Sequence, residues 1–137
     1  MKVKVTQKDG FHFIGSGAEY PGELLIDAAA HVGGKGRGFR PPELLMYSIA
    51  GCMGIHSYEA LVKAGKKIDS MTVETDGERA DEHPKWFTKI MLKFSVKGSG
   101  VTEKDVRDAI DVALGKTCSI AAMVNRVAPI SCEIKMI

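Results

Sequence analysis

Residues Trp86 to Lys97, WFTKIMLKFSVK, place Ile90, Leu92, Phe94 and Val96 at every second position, with Lys89, Lys93, Ser95 and Lys97 between them. Side chains of a strand point to opposite faces in turn, so this run predicts a strand with one apolar and one wet face. Ile68 to Arg79 alternates in the same way, and Ala80-Asp81-Glu82-His83-Pro84 carries turn chemistry between the two. A long hairpin follows from that arrangement.

Beyond the hairpin, Thr102-Glu103-Lys104-Asp105 has the pattern of a capping box and opens a helix running through Val106, Ala109, Ile110 and Ala113 to Gly115. Thr117 is placed to cap a short helix, Cys118 to Asn125. The last stretch, Pro129 to Ile137, alternates Ile130, Cys132, Ile134 and Met136 and reads as a closing strand. Before the hairpin, Glu43 to Ala64 has no breaker except Gly51 and Gly54 and stops at Gly65, with Pro41-Pro42 ahead of it. Proline suits a first helical turn and glycine the position just past a helix end, so this is the longest predicted helix. Leu45, Ile49, Cys52, Ile55 and His56 recur at helical spacing, while Leu44, Tyr47, Met53 and Leu61 make other faces apolar. Burial on several sides is the expectation.

At the N-terminal end, Lys2 to Thr6 and Phe11 to Ile14 read as strands around an Asp9-Gly10 turn, and Glu23 to Asp27 as a third strand after Pro21-Gly22. His31 to Arg40 holds four glycines and predicts an open, mobile loop. The order of elements implies one α+β domain over residues 1–137, mostly antiparallel in its sheet.

Composition narrows the function. With 137 residues, 45% hydrophobic, 26% charged and a net charge of +2, the chain is of ordinary globular type, and its basic residues are dispersed among acids. A nucleic-acid footprint is not evident. The opening residues do not resemble a signal peptide, and no apolar run approaches the roughly 18 residues of a membrane span. A cytoplasmic protein without membrane attachment is expected. Three cysteines without CxxC spacing suit a reducing compartment.

Cys52 sits three turns into the long helix, too far for the positive helix end to activate it, so a cation must do so. Arg37, Arg40 and Arg79 are the candidates. Cys118, at a helix start beside Lys116, is placed where exposed amides favour a thiolate. The alternative is that both are small buried hydrophobes, as most free cysteines are. Cys132 alternates with core residues and is read as packing. His56 follows Cys52 by four residues on the same helical face, a spacing at which thiolate and imidazole could share a metal. A site would further require Cys118 and one of His12, His31 or His83 to converge. No metal and no cofactor are expected.

The segments PPELLMYSIAGCMG, VETDGERADEHPKWFTKIMLKFSVKG and VRDAIDVALGKTCSI, in this order and with these cysteine positions, resemble the OsmC/Ohr family of osmotically induced and organic-hydroperoxide-resistance proteins. The resemblance implies an OsmC-like α+β fold with antiparallel sheets, a long central helix carrying Cys52, and an intertwined homodimer. It implies a thiol peroxidase for small organic hydroperoxides, with Cys52 as peroxidatic thiolate, Cys118 as resolving thiol, and a dithiol or lipoyl-type reductant. The family's supporting pair is an arginine and a glutamate. Its glutamate position falls on Pro42, with Glu43 next to it, and no arginine occurs in residues 1–36, so Arg40 and Glu43 are the substitutes, with Arg79 behind Arg40. The competing reading is an apolar small-molecule binding protein with a pocket lined by Met46, Met53, Phe39 and Trp86.

Overall fold

A computed structural model describes all 137 residues and resolves two compact units, Met1–Leu45 and Met46–Ile137. The element order is strand, strand, strand, helix, strand, strand, helix, helix, strand.

In the first unit, β1 (Val3–Asp9), β2 (His12–Gly17) and β3 (Glu23–Ile26) form an antiparallel meander. Asp9 pairs with His12, so the tight turn is Gly10-Phe11, one residue later than Asp9-Gly10. Gly10 takes a φ of 53°, which a side chain would strain. The glycine-rich segment is ordered by a carboxylate, contrary to the open loop expected. Buried Asp27 accepts hydrogen bonds from the backbone amides of Ala28 (2.9 Å), Lys35 (3.0 Å) and Arg37 (3.1 Å). Arg37 reaches back to Asp27 at 3.6 Å and also pairs with Asp9. Phe39 then joins the sheet, donating to Leu25 and accepting from Asp27. Gly34 and Gly38 are required here, because a Cβ would lie 1.7 Å from the Ala28 carbonyl oxygen or 2.4 Å from the Leu25 carbonyl carbon.

Helix α1 (Pro41–Lys63) starts two residues before the predicted Glu43, with both prolines inside its first turn. It ends in a Schellman arrangement: Lys66 donates to the Leu61 carbonyl, Gly65 to that of Val62, and Gly65 has a φ of 74°. Ile49, Met53, Ser57 and Leu61 are its buried residues, one stripe at four-residue spacing. The expected burial on several sides is therefore not met within the chain, and Ile55 is 69% exposed.

In the second unit, β4 (Ser70–Arg79) and β5 (Phe87–Lys97) make the predicted antiparallel hairpin, and Ile90, Leu92, Phe94 and Val96 are fully buried. Each such side chain contributes on the order of 1.5–3 kcal/mol by leaving water. α2 (Glu103–Val112) opens with the predicted box: Asp105 N donates to Thr102 Oγ1 at 3.2 Å, and Thr102 N to Asp105 Oδ2 at 2.9 Å. After α3 (Ser119–Val124), β6 (Ile130–Met136) lies beside β5 in parallel, giving the order β4-β5-β6. A parallel neighbour needs a crossover of a dozen or more residues, which the helical segment between β5 and β6 supplies. Three of the four strand pairings are thus antiparallel and one is not.

Candidate functional site

The site is made where α1 meets the start of α3. Instead of stopping at Gly115, α2 widens into a π turn, Ala113–Thr117, closed by the Cys118 amide donating to the Ala113 carbonyl at 2.9 Å. Such single wide turns recur where a helix must re-aim a functional residue. The chain then leaves helical geometry at Cys118 (φ −80°, ψ 104°), which itself caps α3. Its Sγ accepts the Ala121 amide at 3.3 Å. Sulfur occupies the position a serine or aspartate oxygen usually holds, in place of the predicted Thr117.

Cys118 is 2% exposed, among Ile49, Met53, Ile110 and Ala121 of the second unit's core. Cys52, half-buried on α1, packs against the same cluster, near enough for its side chain to act on the Cys118 thiol. The Cys118 thiol is pushed up to about 11, first by burial and next by the neighbouring Cys52 side chain, against the opposing pull of the Ala121 and Ile120 amides. This reverses the expectation that a helix start and Lys116 would favour its thiolate. Desolvation of an anion outweighs the two amides, and Lys116 is not among the groups acting on the thiol. All three cysteines are free. The two are therefore free thiols at one core, Cys118 buried and Cys52 half-buried.

Arg40 and Glu43 pair with each other: Nη2 to Oε1 at 2.8 Å, with the Arg40 amide donating to Oε2 at 2.9 Å. The contact raises the Arg40 guanidinium and lowers the Glu43 carboxyl. Arg37 is engaged by Asp9 and Asp27, and Arg79 donates to the Lys85 carbonyl at 2.6 Å and lies 5.7 Å from the centre of the Phe87 ring. Cys132 packs along β6 as read from the sequence, its thiol pushed up to about 11 mainly by burial. No three His, Cys, Asp or Glu side chains converge as metal ligands. Met53 is sealed in the core. The second unit does carry an open groove of about 700 Å³, but Tyr47, Gly51, Ile55, Tyr58, Met71 and Val73 are among its lining, not Met46 or Trp86. Sequence reasoning missed Asp27, which carried no signal beyond its place at a strand end.

Fold and site together define an α+β protein with two free thiols, one half-buried on its long helix and one buried at a later helix start. The OsmC-like protein family model matches residues 34–133, and the chain belongs to that family. It is 29% identical over 131 residues to protein YhfA of Escherichia coli K12, covering 96% of this chain and 94% of that one. A hypothetical protein from Aquifex aeolicus VF5 has a similar structure, with TM-score 0.83 and 28% identity, over 99% of this chain and 96% of the other. The fold is also that of an organic hydroperoxide resistance protein from Elizabethkingia anophelis (TM-score 0.75, 16% identity, 100% and 97% covered). No helix is long and apolar enough to cross a membrane.

Proposed function

We propose that this protein is a thiol-dependent peroxidase that reduces organic hydroperoxides. The observation that supports the proposal is that Cys52 and Cys118, remote in sequence, share one core cluster, with Cys52 near enough to act on the Cys118 thiol. A Cys52 thiolate attacks the peroxide O–O bond, releasing an alcohol and leaving a sulfenic acid. Cys118, held close and protonated, then condenses with it to a disulfide and water. A dithiol or lipoyl-type reductant returns both thiols. Arg40 and Glu43 are proposed as the supporting pair, on the strength of their mutual ion pair. The name of the Elizabethkingia relative supports the substrate class.

The working form is a cytoplasmic homodimer. Ile55 and Val62, exposed on α1, and the groove beside Tyr58 give a second copy an apolar face to cover.

The test is hydroperoxide consumption with a dithiol donor in wild type, Cys52→Ser and Cys118→Ser. Cys52→Ser should abolish turnover. Cys118→Ser should allow one peroxide per chain and then stall as the sulfenic acid. Equal rates in all three proteins would end the proposal.

A further inference from the structure

One face of α1 carries a row that the disulfide chemistry leaves unused. Cys52, His56, Glu59 and Lys63 succeed one another at helical spacing, and residues four apart on a helix hold their Cβ atoms about 5–6 Å apart. Lys63 Nζ donates to Glu59 Oε1 at 2.6 Å, and Glu59 Oε2 lies 3.4 Å from His56 Nδ1. The carboxyl of Glu59 is held below its ordinary range, first by Lys63 and then by His56, so it stands as a carboxylate beside the ring. Nδ1 is buried and makes no hydrogen bond, so Glu59 meets it only through that 3.4 Å contact, while the His56 side chain is 29% exposed. A nucleophile, an imidazole and a carboxylate orienting that imidazole is the general layout by which proteins activate a weak nucleophile. Cys118, at the α3 start, has its thiol raised by burial and so offers Cys52 no ready base.

We infer that His56 is the acid–base partner of Cys52, with Glu59 as its positioning residue. The role rests on the peroxidase reading for its substrate, though not for its chemistry at sulfur. His56 takes the Cys52 thiol proton, and the thiolate attacks the terminal peroxide oxygen. The O–O bond breaks as the S–O bond forms, so sulfur is oxidised and the peroxide reduced. The departing alkoxide takes the proton back from the imidazolium, giving an alcohol and Cys52 sulfenic acid. In the second step the Cys118 proton leaves with the sulfenic hydroxyl as water.

The test reads sulfur reactivity without peroxide. Site-resolved alkylation of Cys52 by iodoacetamide is followed by mass spectrometry from pH 5 to pH 10 in wild type, His56→Gln and Glu59→Gln. Near pH 7 the His56→Gln rate should fall roughly three- to tenfold, with the profiles converging at high pH where the thiol ionises unaided. Glu59→Gln should fall in the same direction by less. A His56→Gln profile superimposable on wild type overturns the inference. Should that variant fail to fold by circular dichroism, an unchanged profile in Glu59→Gln, a surface substitution, overturns it instead. A protein that consumes no hydroperoxide yet loses low-pH alkylation in His56→Gln would end the peroxidase reading and leave this one standing.

Discussion

The two three-stranded sheets of this chain are opposites in burial. In β4-β5-β6 the central strand hides Ile90, Leu92, Phe94 and Val96 completely, whereas every residue of β1 is exposed and Val3 is 71% accessible. Both show the alternation of strands; the difference is what covers them. In the second unit Val106 and Ile110 of α2 and Ile49 and Met53 of α1 share one core with β5. The first unit orders itself differently, around a buried carboxylate that gathers three backbone amides. One sheet is held by apolar area and the other by polar geometry, and substitutions should separate the two.

The largest effect is expected at Phe94. Truncation to alanine removes a fully buried ring from the centre of the core and should cost about 3–5 kcal/mol, read by urea unfolding. A loss below about 1 kcal/mol would mean that the β5 core is not what holds the second unit.

Acid comes next, because each unit has one carboxyl held at about 2. Asp27 is lowered by the Arg37 and Lys35 amides, and Asp105 by Lys66 and the Thr102 amide. A depressed folded value means that each contributes stability above its ordinary 3.8 and loses it as pH falls toward about 2. The thermal midpoint should therefore drop between about pH 4 and pH 2, and Asp27→Asn and Asp105→Asn should each flatten that slope. Hydrogen exchange at the Lys35 and Arg37 amides, compared with Thr102, would tell which unit opens first. Simultaneous opening would erase the contrast between them.

The β5 alternation, the Gly65 helix stop and the Thr102–Asp105 box are local patterns, set by residues within a turn or two of each other. All three were legible. The parallel seating of β6 depends on a crossover, and alternation carries no strand direction. The Asp27 clasp joins residues eight and ten positions apart through backbone amides, which have no residue-type signature. At the site, the pairing of Cys52 with Cys118 was implied by family resemblance, not by spacing. Burial raises the Cys118 thiol, and a helix start is visible in sequence where burial is not.

A smaller loss is expected when the box is cut. Thr102→Ala removes the side chain that accepts the Asp105 amide and should cost about 1 kcal/mol, with Thr102→Ser recovering most of it. Urea midpoints at equal slope would check this, and an unchanged midpoint would show that the Asp105 contact to Lys66, 2.9 Å long, suffices by itself.

The smallest effect is expected at Val5, and it bears hardest on the comparison. Val5 is 54% exposed on a strand with no buried residue, so within a single chain Val5→Ala removes methyl groups that already touch water. The stability change should stay within about 0.5 kcal/mol at low protein concentration. Were a second copy to close over β1, the same methyl groups would leave water on assembly, at about 0.8 kcal/mol for each carbon. The loss would then exceed 1 kcal/mol and grow with protein concentration, since dissociation and unfolding become linked. Unfolding of wild type and Val5→Ala at several concentrations distinguishes the cases. A concentration-dependent loss would mean that β1 is an apolar surface completed by another chain, and that the two sheets differ in which molecule covers them.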